Sequence, residues 1–286
     1  MITLNFKACT APVGIVRILE VVFTFSTFIL AAVPGILTLS LWTRCMLTWC
    51  FCFAITLLIL LLEFTSVSTK LPISWNDFIA AFAMLASLLV LSASIIYPVY
   101  STCSKCGRQI GATVTSYVAF ILYVVEVWLT RAKPDEISGF TSTVPGLLKV
   151  LEVYIALIIF SCLNLVPFSS FPGLQWCAAV YCICFIFAAL IIIFTICRLT
   201  DLLPAPFDKV LKCCNVFCVL MYVTAVVMWP FYSFKHYPQR DEYCTSGQFC
   251  SWDVLVFITF MTCFNLVAHI VDTLYSFRLL FFVSQT

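Results

Sequence analysis

The sequence predicts an all-α integral membrane protein with eight transmembrane helices, built as two related four-helix halves. Three observations carry this. The residues AVILMFWYC make up 63% of the 286 positions and charged residues only 10%, whereas soluble domains sit near half apolar and about a quarter charged. So few charges cannot cover a water-facing surface, and the excess apolar area calls for lipid as solvent. The apolar content also falls into eight stretches of the ~20 residues that a bilayer-crossing helix needs. Finally, the second half repeats the first.

The stretches run over 15–32, 46–62, 78–97, 111–129, 147–166, 176–196, 213–232 and 254–274. The first break carries Pro34-Gly35, then Trp42 and Arg44; it is the shortest on polar markers. Lys70 and Pro72 separate the second stretch from the third. Ser104-Lys105-Cys106-Gly107-Arg108 precedes the fourth, and 131–136 follows it with Arg131, Lys133, Pro134, Asp135 and Glu136. Pro167 to Gly173 and Arg198 to Lys209 bound the sixth. Each break combines turn formers with charge. A first stretch preceded by Lys7 and Arg17 and ending near Ala31-Ala32 also fits a cleaved signal peptide. The repeat argues against that reading, because its counterpart is internal.

That repeat is explicit. Gly14-Ile15-Val16-Arg17-Ile18-Leu19-Glu20-Val21 matches Gly146-Leu147-Leu148-Lys149-Val150-Leu151-Glu152-Val153, 132 residues on. At the same offset Leu71-Pro72 matches Leu203-Pro204, and Tyr97-Pro98 matches Trp229-Pro230. Trp49-Cys50 resembles Trp176-Cys177 at a spacing of 127. The halves are read as 1–137 and 138–286. Four spans per half is an even number, so the halves share one topology and are related by an axis along the membrane normal.

Orientation follows from the basic residues flanking the spans. Of the 15 Lys and Arg, ten fall on the side of the termini, which places the N- and C-termini in the cytoplasm. Most of the 17 cysteines lie inside apolar runs, as Cys50, Cys52, Cys162, Cys182, Cys184, Cys218 and Cys263 do, and read as small hydrophobes. Four lie in polar connections that this orientation puts outside, where oxidation is permitted. Cys244 and Cys250 bracket the longest polar loop, and a disulfide would close it. Cys103-x-x-Cys106 reads as a local disulfide, as free thiols, or as a pairing with another loop; zinc would want four ligands. Cys9, Cys197, Cys213 and Cys214 lie near cytoplasmic span ends and are candidates for S-palmitoylation, or are idle thiols.

Each half opens on a basic-x-x-acidic pair: Arg17 with Glu20, and Lys149 with Glu152. Spacing i,i+3 puts the two on one helix face. The base is expected to snorkel to the headgroups while the acid, one turn deeper, is neutralised by it. Asn265, His269 and Asp272 recur at i, i+4 and i+7 on the last span, and Glu126 sits comparably late in the fourth. Facing lipid would be costly for all four. They read as an interhelical polar network, or as a proton relay or ligand site.

Several segments resemble one family: Trp49-Cys50-Phe51-Cys52-Phe53, Ser92-Ala93-Ser94-Ile95-Ile96-Tyr97-Pro98, the run from Thr143 to Glu152, and Trp176-Cys177-Ala178-Ala179-Val180-Tyr181. They are similar to the myeloid-associated differentiation marker family of tandem MARVEL-domain membrane proteins, and they span nearly the whole chain. The resemblance implies two MARVEL four-helix bundles, a plasma-membrane location in cholesterol-rich ordered domains, and roles in trafficking and membrane-cytoskeleton contacts. Implied partners are membrane lipids, cholesterol among them, and other membrane or cortical cytoskeletal proteins, with homo-oligomerisation open. No catalytic residue is implied.

No enzyme motif is present in the sequence. The two histidines, His236 and His269, are too far apart in sequence for an H-E-x-x-H site, and no Walker loop, G-x-S-x-G or G-x-G-x-x-G occurs. A net charge of +2 gives no case for nucleic acid. No cofactor is expected. The leading function is a non-enzymatic membrane organiser. One alternative is a transporter or channel with a polar site of Glu126, Asn265, His269 and Asp272. Duplication favours it, but eight glycines and prolines confined to span ends do not supply interrupted midplane helices. Another alternative is a cell-surface receptor using the 233–253 loop.

Overall fold

The computed structural model describes residues 10–32, 39–101, 107–131, 143–166, 168–199, 206–236, 240 and 250–283. They form eight long helices: α1 Pro12–Ala31, α2 Leu39–Phe64, α3 Trp75–Ser101, α4 Gly107–Arg131, α5 Val144–Leu163, α6 Pro172–Ile196, α7 Phe207–His236 and α8 Ser251–Val283. All eight are long and apolar enough to cross a membrane. No described residue lies in a strand. Most helices outrun the expected apolar stretches, α7 and α8 furthest. Flanks such as Trp42, Arg44 and Tyr275 remain helical although they interrupt the apolar run.

Local chemistry explains the helix ends. Proline opens α1, α5 and α6 in the first turn, where its missing N–H has no helical partner to lose. The Thr143 side chain caps α5 by accepting from the Gly146 N–H at 3.4 Å. Pro98 lies inside α3 and Pro230 inside α7, at matching repeat positions. The second helix of each half ends in a left-handed residue: Ser66 at φ 53 and Arg198 at φ 55. These two are also repeat equivalents. The backbone carries the duplication even where the side chains have diverged.

The chain divides into two compact units, 1–142 and 143–286. In the first, α1 packs on α2, α2 on α3, α3 on α4, and α4 closes back on α1; in the second, α5 to α8 form the same ring. Arg17 near the start of α1 meets Glu126 near the end of α4, and Lys149 near the start of α5 meets Asp272 late in α8. The closing pairs are therefore antiparallel.

The cores show a register that corrects one sequence match. Trp49 and Tyr181 are both fully buried. Trp49 Nε1 donates to Ser116 Oγ at 3.0 Å, and the Tyr181 hydroxyl bonds Thr262 Oγ1 at 2.7 Å. Trp49 meets Tyr97 edge-on at 5.3 Å, and Tyr181 meets Trp229 at 6.1 Å. Cys45 and Cys52 likewise correspond to buried Cys177 and Cys184. The counterpart of Trp49 is thus Tyr181, at the general offset, and Trp176 is an outward-facing residue bonded to Thr224. A Trp-Cys match is easy to see, but helical burial repeats every three to four residues, and a five-residue slip would turn the wrong face inward.

Outward faces are apolar. On α1 they carry Ile15, Ile18, Leu19, Val22, Phe25 and Ile29, and on α4 Val114, Tyr117, Ile121, Val124 and Trp128. This is the helical spacing of a stripe turned toward a solvent that accepts hydrocarbon.

Candidate functional site

Each bundle encloses one polar centre, anchored on the basic residue of its first helix. In the first unit the Arg17 guanidinium projects from α1 into the ring and is 3% exposed. Its Nε donates to Glu126 Oε1 on α4, and its Nη1 donates to Glu63 Oε2 on α2 at 2.6 Å. Trp75 Nε1 at the start of α3 donates to the other Glu63 oxygen at 3.1 Å. The planar fork of arginine can serve two carboxylates at once, so one side chain ties α1 to α2 and α4.

In the second unit Lys149 is 1% exposed. Its ammonium lies 2.6 Å from Glu152 Oε2, one turn along α5, and 2.9 Å from Asp272 Oδ2 on α8. Asn215 Nδ2 on α7 donates to the same Asp272 oxygen at 2.8 Å and to Ser276 Oγ at 3.2 Å. His269 Nδ1 stands 3.0 Å from Glu152 Oε1, a close polar contact rather than a well-directed hydrogen bond. The His269 ring lies 4.8 Å from that of Tyr222, whose hydroxyl accepts from Asn265 Nδ2 at 2.6 Å.

The paired start of each half therefore behaves differently from expectation in two respects. Neither base snorkels: both are drawn inward by acids on neighbouring helices, so the interior itself supplies the counter-charge. The i,i+3 pair forms between Lys149 and Glu152 but not between Arg17 and Glu20. The longer guanidinium reaches across to Glu126 and Glu63 and leaves Glu20 behind. Glu20 is fully buried; no N–H, hydroxyl or cationic donor among the described residues serves its carboxyl oxygens, and on α4 it faces the Glu126 carboxyl.

The polar residues expected on the last spans separate by half. Asn265, His269 and Asp272 share the second centre. Glu126 serves the first, at the position that Asp272 holds in the second. Ser116, Ala119, Tyr123 and Glu126 correspond in order to Thr262, Asn265, His269 and Asp272, and all eight are buried. The longer α7–α8 connection shifts the repeat offset here, which hides this match from a search at one spacing. Sequence reasoning also missed Glu63 and Asn215. Glu63 was legible as a lone acid at the end of an apolar run. Asn215 was not, because its repeat counterpart is Ala83.

Among the described cysteines Cys250 is disulfide-bonded, and Cys45, Cys50, Cys52, Cys162, Cys177, Cys182, Cys184, Cys197, Cys213, Cys214, Cys218 and Cys263 are free thiols. Cys103, Cys106, Cys244 and Cys9 lie outside the described residues, as does most of the 233–253 loop. Cys213 is exposed in the second turn of α7, while Cys214 and Cys197 are half-buried. Of the span cysteines, Cys52, Cys184 and Cys218 are buried and Cys50, Cys182 and Cys263 face outward. Among the described residues no group of three His, Cys, Asp or Glu could hold a metal ion.

Comparison with known proteins fits this architecture. The family model for the MARVEL membrane-associating domain matches residues 8–129, the first bundle. The chain is 43% identical to the myeloid-associated differentiation marker homolog of Xenopus laevis, over 97% of this chain and 95% of that protein. It is 42% identical to the myeloid-associated differentiation marker of Homo sapiens, over 98% and 92%. It is 36% identical to the human myeloid-associated differentiation marker-like protein 2, over 97% and 95%. No solved structure matches.

Proposed function

The chain belongs to the myeloid-associated differentiation marker family, whose members are multi-pass MARVEL membrane proteins, and from that premise we propose that it is a non-enzymatic organiser of ordered, cholesterol-rich plasma membrane. One observation carries the reading: the base deep in each bundle is committed to acids of its own ring, while the outward faces are broad and apolar. Phe25, Phe51, Phe217, Phe231, Phe260 and Phe264 all point outward. Flat rings and aliphatic side chains on a bundle with short connections suit lateral packing against lipid and other membrane helices. Membrane and cortical cytoskeletal proteins are the partners this role implies.

The second bundle is read as a second MARVEL unit, supported by its matching ring and burial register. The termini are placed in the cytoplasm. With Arg17 and Lys149 removed from the flanking charges, the remaining Lys and Arg still favour that side. The disulfide at Cys250 supports an oxidising, outer side for the α7–α8 connection, with Cys244 as its proposed partner.

Detergent-free fractionation of cells before and after cholesterol extraction tests the main reading. The chain should concentrate in ordered membrane and disperse on extraction. A uniform distribution that extraction does not change would sink it.

A further inference from the structure

The two halves hold the same acid in opposite circumstances. Glu152 is buried with a lysine ammonium 2.6 Å from one oxygen and an imidazole nitrogen 3.0 Å from the other. Glu20, its counterpart, is as deeply buried and has neither. Arg17 is spent on Glu126 and Glu63. The position of His269 is taken by Tyr123, whose hydroxyl is bonded to Thr56 at 2.8 Å. An ionised carboxylate without a donor in such an interior is far more costly than the neutral acid. One cation also faces three acids here. With all three ionised the centre would hold a net double negative charge away from water.

We propose that Glu20 is a proton-binding site of the first bundle, held as the neutral acid in the resting fold and able to release its proton at the cost of the α1–α4 seam. Uptake is a simple protonation: the carboxylate takes H+ from water at the membrane surface, an O–H bond forms, and no electron moves. Glu20's own helix offers Arg17, which points to other acids. From α4 come Glu126 and Tyr123, and from α2 Cys52, with Glu63 further along. The third helix contributes Phe82, Ala86 and Val90 to the core of this bundle. Release of the proton would therefore set a second carboxylate against Glu126 with no new cation to answer it, and α1 would be pushed from α4.

Two measurements on the full chain in lipid nanodiscs test this. Infrared spectroscopy at neutral pH should show the carbonyl band of a protonated carboxylic acid that Glu20→Gln removes and Glu152→Gln leaves. No such band in the natural chain, or one that persists in Glu20→Gln, overturns the proposal. Thermal unfolding gives the independent sign. An acid that must hold a proton in the fold but ionises when unfolded loses stability as pH rises above the ordinary carboxylate range. Glu20→Gln escapes that loss. It should unfold at a higher temperature than the natural chain at neutral pH, with the gap closing as pH falls into the carboxylate range. Glu152→Gln should unfold at a lower temperature. A Glu20→Gln chain destabilised at neutral pH as Glu152→Gln is, or a gap that ignores pH, overturns the proposal.

Discussion

At the residue scale the molecule depends on a few charges placed where water cannot reach them. Lys149 answers two carboxylates on two helices, and its removal would leave both buried without their cation. Breaking one partner of such a pair costs about 3–5 kcal/mol. Lys149→Met should therefore lower the thermal unfolding midpoint sharply. Adding Asp272→Leu should return part of the loss, because a removed anion no longer needs a partner; strictly additive losses in that double variant would contradict the pairing. Neutral hydrogen bonds contribute less. Hydrogen bonds between membrane helices contribute about 0.6 kcal/mol on average, and those from Trp49 to Ser116 and between Tyr181 and Thr262 are of that kind. They fix rotation more than they hold the bundle together.

At the element scale the helices are set by their ends. Apolar content alone would allow any of them to slide along the membrane normal, but a proline start and a left-handed stop fix the length of α6. The stop on α2 is the more exposed to improvement. Ser66 adopts a positive φ that costs an L side chain about 1–2 kcal/mol. Its backbone N–H and C=O both bond within the turn, to Glu63 O at 3.1 Å and from Thr69 Oγ1 at 2.9 Å. Glycine keeps both bonds and removes the strain, at some loss to a more flexible unfolded chain. Ser66→Gly should raise the unfolding midpoint by the equivalent of about 0.5–1 kcal/mol. A lowered midpoint would mean that the side chain, not the turn, matters there.

At the scale of the whole molecule the unit of construction is the four-helix ring. Each half buries its own aromatic core and closes its own charge network: Trp49, Tyr97 and Tyr123 with Arg17 in the first, Tyr181, Tyr222 and Trp229 with Lys149 in the second. Separate expression of 1–142 and 143–286 should therefore give two membrane-inserted fragments that each unfold cooperatively, as read by protease protection and thermal scans in detergent. A half that inserts but shows no cooperative unfolding would mean that its core is completed by the other. The halves have also diverged in charge. One holds three acids around an arginine, the other a lysine, two acids, a histidine and two asparagines. The duplication preserved a latch between first and fourth helices while leaving its chemistry free to change.

Hydropathy, charge depletion and the repeat determined the eight spans and their grouping in fours, and the resemblance of segments such as 143–152 pointed to the family. These are one-dimensional properties, because a bilayer selects for length and apolarity along the chain. The sequence also named the polar residues that had to be hidden, since lipid makes each of them costly wherever it points. It could not say which would meet. Arg17 looked paired with Glu20 because spacing along a single helix is the only neighbour relation a sequence displays. Its true partners, Glu63 and Glu126, lie on other helices. Glu126 and Asp272 could be matched only after the longer α7–α8 connection was allowed for, and Trp49 found its counterpart in Tyr181 only once burial fixed the register. Tertiary packing decided these pairings because a buried charge takes the best donor within reach in space, and that donor is set by which helix faces close the ring.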